Sequence, residues 1–505
     1  MSRPGSSSLQ PVLLFVSAGV VVLALGLRLL RRNRHRWRLP LSLPERVEPL
    51  LGHVRLLGSL EGLREVCVEA ASPEGVSRLS LVGRPVLSIL RADHVRTFLG
   101  LSSFRKRVPL FKQHTDKFLG PNALVFLMHE QWRQVRRTLS QPFSWESLRD
   151  TVADINATGE LFVESLARRR GDVVDMAQLC KCITVDVIGK AAFGHDFDCC
   201  RTLALSRVVQ AFEFLSDELT KRAVKDPLNP FNFFYWLPSE RNRKFAECSG
   251  LVRTTIDEIV KRRVEARGEE GFEEHRDILK FILDALEGEK TRVDPEVIAD
   301  NLMTFLFAGY DTSSITLAYA FAMMAKHPEI AARVRTEVLG VIGDSGDLTY
   351  QQVTGELLLC TAVVNETLRL FPPAPITTRN LEEPYEFRIN DSLTETIPAG
   401  TMIFIPIWWV HRSPLNFDRP EEFDPDRFLD PSRADCIHRF AHIPFSGGAR
   451  DCIGRRFAMI ELVAVFAAVM RRLSFEWSPL LSLSPEIHGF TQRNADGIPL
   501  KVLCE

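Results

Sequence analysis

The sequence predicts a mainly α-helical fold with a minor β region, preceded by one N-terminal transmembrane helix. Three observations carry this. An apolar run between Pro295 and Pro328 is long enough for one helix through the whole body. Residues 145 to 290 have helical composition with polar connections, broken by the Pro-, Asn- and Phe-rich stretch Lys225 to Trp236. Short β-branched and apolar runs, Val76 to Val82 and Pro85 to Leu90, flank Gly83-Arg84 and predict a hairpin within a small sheet.

Bulk properties narrow the function without naming it. With 505 residues the chain holds two or three ordinary domains or one large one. A formal charge of -1 lacks the basic footprint of a nucleic-acid binder, so no nucleic-acid partner is expected. The ten cysteines are scattered; even Cys180, Cys182, Cys199 and Cys200 fit neither zinc spacing nor a disulfide framework. A reduced, cytosol-facing compartment follows.

Taken in order, residues 1–10 read as a lumenal N-terminus and 11–30 as a signal anchor. The run Pro11 to Leu27, extended by Leu29 and Leu30, is long enough to span a bilayer. Arg28, Arg31, Arg32, Arg34, Arg36 and Arg38 far outweigh Arg3 upstream, which puts everything after the anchor on the cytosolic side. A transit peptide would be amphipathic and a cleaved signal would carry a small-residue cleavage site; this run is apolar all round and lacks one. Residues 31–44 form a basic and proline-rich hinge, with Pro40 and Pro44 stiffening the exit from the membrane. The body is 45–505.

Residues 101 to 128 are irregular, with Phe104, Phe111, Phe118 and Phe126 among basic residues. His129 to Leu139 has helical composition and places Trp132 and Arg136 one turn apart on one face. Asp294-Pro295 is a helix start signal and Pro328 a stop, enclosing roughly 33 residues, or ~50 Å of helix. Asp300, Asn301, Thr304, Asp311, Ser313 and Ser314 in this run speak for burial in protein rather than lipid. Asp311-Thr312, after Ala308-Gly309-Tyr310, sets an acid beside a hydroxyl in an apolar helix, which is costly unless the pair has a role. The plain alternative is a threonine bonding back to its own helix.

Farther on, Glu366 and Arg369 stand at i,i+3 in the helical run Cys360 to Leu370. The same spacing occurs at Glu61/Arg64, Glu146/Arg149, Glu240/Arg243 and Glu273/Arg276, so position has to single out this pair. It precedes Phe371-Pro372-Pro373, and Phe423 to Phe428 with Arg427 follows downstream. Near the C-terminus lies Phe445-Ser446-Gly447-Gly448-Ala449-Arg450-Asp451-Cys452-Ile453-Gly454. A cysteine in a turn at a helix N-terminus is surrounded by amide dipoles that favour its thiolate. No second Cys or His stands at zinc spacing, so the loop suits a single thiolate ligand on a metal.

The pattern F-x-x-G-x-R-x-C-x-G, matched by Phe445, Gly448, Arg450, Cys452 and Gly454, resembles the signature of the cytochrome P-450 superfamily. The resemblance covers roughly residues 40 to 505 with its motifs in order. It implies a haem-thiolate catalytic domain with Cys452 as the iron ligand. It further implies that Trp132 and Arg136, and also Arg379 and His411, bind haem propionates. Glu366, Arg369 and Arg427 would form a structural ion network behind the haem. The stretch Ala308 to Thr312 resembles the oxygen-activation motif, in which the helix opens locally, Thr312 meets oxygen and Asp311 feeds protons. Some fatty-acid hydroxylases of the clan this chain looks closest to carry Glu at the position of Ala308 and esterify the haem there; alanine implies non-covalent haem b.

The implied function is monooxygenation of a hydrophobic substrate, with a fatty acid or other long apolar molecule favoured over sterols, terpenoids or xenobiotics. Electrons would come from NADPH through NADPH-cytochrome P-450 reductase, with cytochrome b5 as a second donor, in the endoplasmic reticulum membrane. Arg133, Arg137, Arg455 and Arg456 are the expected basic docking face. Phe305, Ala308, Thr312, Ile376, Thr377 and Phe490 are the expected pocket lining. Rival readings are a peroxide isomerase or dehydratase, which tends to lose the acid-threonine pair, and a haem carrier or sensor without turnover.

Overall fold

A computed structural model describes residues 53–81, 84–101, 112–225, 237–269, 277–287, 295–478 and 481–504. The anchor 11–30, the hinge 31–44, Gly83, Phe104, Phe111, Asp294 and most of the Lys225 to Trp236 break lie outside the described residues. Among those described, no helix is long and apolar enough to cross a membrane.

Helices of eight residues or more are numbered here in chain order. The first three, α1 (Ala92–Gly100), α2 (Lys112–Leu119) and α3 (His129–Ser140), lead into α4 (Trp145–Ala167), α5 (Met176–Phe193) and α6 (Arg207–Thr220). Then come α7 (Glu240–Arg267), α8 (Ile278–Glu287), α9 (Pro295–Lys326), α10 (Pro328–Ile342), α11 (Leu358–Leu370) and α12 (Arg455–Arg472). The long helix α9 runs unbroken through the middle, and α5, α7, α11 and α12 all pack on it. Its lack of a polar face is explained by that covering: Leu302, Phe305, Phe307, Ile315 and Tyr319 point in different directions, and all are buried. Gly309 marks the closest approach of α5, where a Cβ would stand 2.7 Å from Ile188 Cγ1. Thr184 Oγ1 on α5 donates to Tyr310 O at 2.8 Å, so the two helices share a polar contact as well as packing.

The β region is peripheral. Strands β1 (Val76–Leu81), β2 (Arg84–Ile89), β7 (Met402–Ile405) and β4 (Thr377–Asn380) form one sheet in the order β1-β2-β7-β4. The expected hairpin is present, with Leu81 opposite Arg84 across a two-residue connection. Strand β2 pairs with β7 in parallel and β4 with β7 antiparallel. A second sheet joins β3 (Val173–Asp175), β11 (Pro499–Cys504) and β8 (Leu473–Trp477). Two ribbons remain, β5 (Tyr385–Arg388) with β6 (Thr394–Ile397), and β9 (Pro485–His488) with β10 (Thr491–Asn494). The first sheet keeps an apolar cluster of its own, including Val76, Ile89, Phe98, Ile403 and Ile405, separate from the main core around α9. The fold is therefore mainly α with a minor β region.

Candidate functional site

The cysteine loop is built by two short-range constraints and one long-range one. Cys452 N–H donates to Phe445 O at 2.9 Å, closing the turn, and Ser446 and Gly448 both adopt positive φ, 60° and 72°. A Cβ on Gly448 would lie 1.9 Å from Leu99 O, so only glycine lets the loop rest against the end of α1. The thiol of Cys452 is exposed, two residues before Gly454, the N-cap of α12. The loop is tied toward α9 through Phe143, whose ring lies 3.8 Å from a Cβ built on Gly454 and meets Phe305 edge-on at 5.6 Å.

Beside the loop sits a group of guanidinium side chains with too few counter-charges. Arg450 Nη1 donates to Leu127 O at 2.7 Å, and its guanidinium lies over the Trp132 ring at 4.2 Å. Arg136 is the paired member, with Nη2 on Asp451 Oδ1 at 2.8 Å and Nη1 on Asp451 O at 2.9 Å. Arg379, only 1% exposed, donates to Thr378 O at 2.9 Å and reaches Thr377 Oγ1, Gly447 O and Ser446 Oγ. Among the described residues neither Arg379 nor Arg450 forms a salt bridge. Burial, reinforced by the charge of Arg450, holds Arg379 down at about 10; burial, reinforced by Arg136, does the same to Arg450. Buried cations without anions are costly, so this arrangement fits a ligand that brings carboxylates. A haem, with two propionates and an iron to be met by a sulfur, satisfies both the arginines and the exposed Cys452 thiol.

The structure corrects one expectation. His411 is buried with both ring nitrogens committed to backbone: Nδ1 lies 3.2 Å from Arg369 O, and Nε2 accepts from Ile443 N at 2.8 Å. Burial and its cationic neighbours hold it well below the usual imidazole range, so it stays neutral and has no proton left for a propionate. Phe305, three and seven residues before Ala308 and Thr312, lies on their face of α9 and is buried against Phe143, whereas Phe307, two residues and about 200° around the helix, faces the aromatic cluster. That cluster joins Phe118 to Phe307 at 4.8 Å, Phe212 to Phe307 at 5.7 Å, and Phe490 to Phe118 and Phe126 at 5.9 and 6.5 Å. Phe212 and Phe307 had no sequence signal of their own, because each lies in an apolar helical run that looks like ordinary core.

Ala308 is exposed on a helix whose neighbours are otherwise buried, and Thr312, one turn on, is half-buried. These two line the open face of α9. Here the helix does not open as the resemblance implies: Thr312 Oγ1 donates back to Ala308 O at 2.8 Å and the α-helix continues. Asp311 points the other way, buried, accepting from Thr491 Oγ1 at 2.8 Å. Burial and the charge of Glu213 push its carboxyl above the usual range, so it tends to hold a proton. Ile376 is half-buried just before β4, Thr377 is buried beneath Arg379, and Phe490 stands 38% exposed at the tip of β9–β10.

Behind the loop, Arg369 Nε and Nη2 donate to Glu366 Oε2 and Oε1 at 2.7 and 2.8 Å, a bidentate pair with both residues fully buried. Arg427 Nε lies 3.7 Å from Glu366 Oε1, and Asp424 N–H donates to the same oxygen at 2.9 Å. Arg369 also donates to the carbonyls of His411, Pro420 and Glu422, so one side chain gathers two stretches of the chain ahead of the cysteine loop.

The cytochrome P450 family model matches residues 43–496. Among curated relatives, the chain is 33% identical over 399 residues to Protein LUTEIN DEFICIENT 5, chloroplastic, of Arabidopsis thaliana, covering 76% of this chain and 64% of that one. The chain thus spans somewhat less than two thirds of that relative. It is 29% identical over 443 residues to Cytochrome P450 4A7 of Oryctolagus cuniculus, covering 85% of this chain and 83% of the relative. In fold it resembles the crystal structure of the cytochrome P450DA heme domain, with a TM-score of 0.79 at 22% identity over 92% of this chain and 98% of that one. With a family match over nearly its whole length and a thiol loop beside arginines that lack a carboxylate partner among the described residues, the chain belongs to the cytochrome P450 family, whose members are haem-dependent monooxygenases.

Proposed function

We propose that the protein inserts one oxygen atom of O2 into a long apolar substrate of the fatty-acid type, using electrons passed from NADPH by a reductase. The single observation that carries the reading is that buried Arg379 and half-buried Arg450, neither with a carboxylate partner among the described residues, stand beside the exposed Cys452 thiol. In this reading Cys452 binds the iron, Arg379, Arg450 and the Trp132-Arg136 face meet the propionates, and Glu366, Arg369 and Arg427 hold the scaffold. Bound haem supplies the oxidising chemistry.

The chain's own residues do the rest. The ring cluster of Phe118, Phe126, Phe307 and Phe490 presents apolar surface to a hydrocarbon and keeps water out. Thr312 Oγ1, now donating to Ala308 O, holds the hydroxyl proton nearest the open face of α9. The Asp311 carboxyl, whose hold on a proton is strengthened by burial and by the charge of Glu213, is the reserve from which that hydroxyl is resupplied. Ala308 offers no carboxylate, so the haem is non-covalent haem b. The resemblance to the fatty-acid hydroxylase clan and the aromatic cluster support the fatty-acid class over the other hydroxylase classes. Anchorage by residues 11–30 in the endoplasmic reticulum membrane, with the catalytic domain in the cytosol, follows from the arginine bias after the apolar run.

The test has two arms. The carbon monoxide difference spectrum of the reduced protein should show the thiolate band, and Cys452→Ser should abolish it; a variant that keeps the band would refute the ligand assignment. Reconstitution with reductase, NADPH and a panel of fatty acids, sterols and terpenoids should give hydroxylated product from the fatty acids first. Turnover restricted to the other two classes would overturn the substrate reading.

A further inference from the structure

Two buried polar residues on α9, Asp300 and Asn301, take no part in the haem cradle or in proton supply, and both are turned onto one loop. That loop, residues 120–128, links α2 to α3. Asn301 Oδ1 accepts from Leu124 N–H at 2.7 Å, and its Nδ2 donates to Asn122 O at 3.1 Å and to Val297 O at 2.6 Å. Asp300 Oδ2 accepts from Asn122 N–H at 3.0 Å, while its Oδ1 takes Arg253 Nη1 of α7 at 2.9 Å. Gly120 has φ +86°, and a Cβ there would stand 2.1 Å from Asp300 Cγ, so the loop lies directly on the carboxylate. Backbone groups of the loop are thus met by side chains of a helix, a clamp that holds the main chain itself.

The clamp governs where one ring of the aromatic cluster stands. Phe126, two residues after Leu124, is buried and faces Phe490 at 6.5 Å. The backbone between clamp and ring is tied into one turn, with Phe126 N–H and Leu127 N–H both donating to Ala123 O, at 2.8 and 3.2 Å. The far end is held as well, since Leu127 O accepts from Arg450 Nη1 at 2.7 Å. The loop is therefore a strap fastened at one end to α9 and at the other to the cysteine loop. The helix that fastens it also carries Phe307 and the open face at Ala308 and Thr312, so the Phe126 ring is referenced to that face.

We propose that Asn301, supported by Asp300, is a positioning residue that sets substrate specificity: by fixing the strap it holds the Phe126 ring in place relative to the Ala308 and Thr312 face, so that a long chain lies in one register and one of its carbons is presented for hydroxylation. This rests on the reading of the ring cluster as the surface a long apolar substrate meets. Without the clamp the haem cradle stays as it is, and the chain slides.

The test is a double-mutant cycle in the full-length holoenzyme, run with whichever apolar compound the wild type hydroxylates. It reads the ratio of positional isomers in the product. Asn301→Leu, close in size and unable to hydrogen-bond, should lower the ratio of the leading isomer to the next by roughly tenfold, the effect of one buried donor left unmet. An unchanged ratio overturns the proposal. Phe126→Ala leaves the clamp in place and should lower the ratio likewise; a wild-type ratio there overturns the proposal even where Asn301→Leu does not fold. Adding Asn301→Leu to Phe126→Ala should change the ratio little further, because the clamp acts through that ring, and fully additive effects would make Asn301 structural only. Hydrogen exchange checks the clamp directly: the Leu124 amide should exchange faster in Asn301→Leu than in Phe126→Ala, and equal rates overturn the tie. Products drawn only from sterols or terpenoids would refute the fatty-acid class and still leave the cycle readable, since it needs only a substrate with more than one oxidisable carbon.

Discussion

Arg450 is held by contacts that neutralise none of its charge: a carbonyl, an aromatic face and a like-charged neighbour. A residue kept for stability alone would be paired. Arg450→Leu should therefore separate two properties that usually fall together. The haem-free variant should melt no lower than haem-free wild type, since the repulsion from Arg136 and Arg379 is relieved. Haem affinity should fall by roughly tenfold or more, the worth of one charge-assisted hydrogen bond of about 1.5–3 kcal/mol. Thermal melts and haem content after gel filtration measure the two sides, and a haem-free variant that melts well below wild type would make Arg450 structural instead. At this scale the cysteine loop was readable in the chain because glycines and a cysteine at fixed spacing leave few conformations. His411 was not, because its neighbours in sequence are silent about the backbone groups of Arg369 and Ile443 that consume its ring.

At the scale of elements, α12 meets α9 through one buried polar contact. Ser313 Oγ donates to Glu461 Oε2 at 2.5 Å, with Glu461 fully buried. Burial pushes the Glu461 carboxyl up to about 8 from 4.5. An acid whose folded value lies above its unfolded value binds more protons when folded, so stability falls as pH rises between those two values. The slope is on the order of 1 kcal/mol per pH unit. Glu461→Gln, which keeps the acceptor and removes the titration, should flatten the loss of stability between about 4.5 and about 8 and melt above wild type at the alkaline end. Chemical denaturation across that range checks it; parallel curves for the two proteins would show that Glu461 does not titrate there. The same pair of helices shows where element-level reading stopped. The length and burial of α9 follow from its start and stop signals and its apolar composition, but a helix apolar on every side carries no phase of its own, so nothing in the chain marks Phe307 as a member of the aromatic cluster. Only the packing of α5 at Gly309 and of Phe143 at Phe305 sets which face remains open.

For the whole molecule, the distribution of charge matters more than its total. The formal charge is -1, yet Arg133 and Arg137 on α3 and Arg455 and Arg456 at the start of α12 are all exposed. Arg136 binds α3 to the cysteine loop through Asp451, which brings these two elements onto one side of the molecule. Among the described residues only Arg133 of the four has an acidic partner, Glu130 at 3.0 Å, and that pair is exposed and worth little. A basic face near the thiolate attracts an acidic electron donor over about 8–10 Å at moderate salt, and screening weakens the attraction as salt rises. Wild-type reduction by the reductase should therefore slow between low and high salt. Reversing two charges in Arg455→Glu/Arg456→Glu should lower the low-salt rate on the order of 10-fold and make it rise with salt instead. Because the Arg455 guanidinium lies 5.8 Å over the Phe445 ring of the cysteine loop, the thiolate band of the carbon monoxide spectrum is read in the Arg456→Glu single variant, where it should be unchanged. Stopped-flow reduction at two salt concentrations reads the result, and a variant reduced at the wild-type rate at both would place the donor's docking face elsewhere on the molecule.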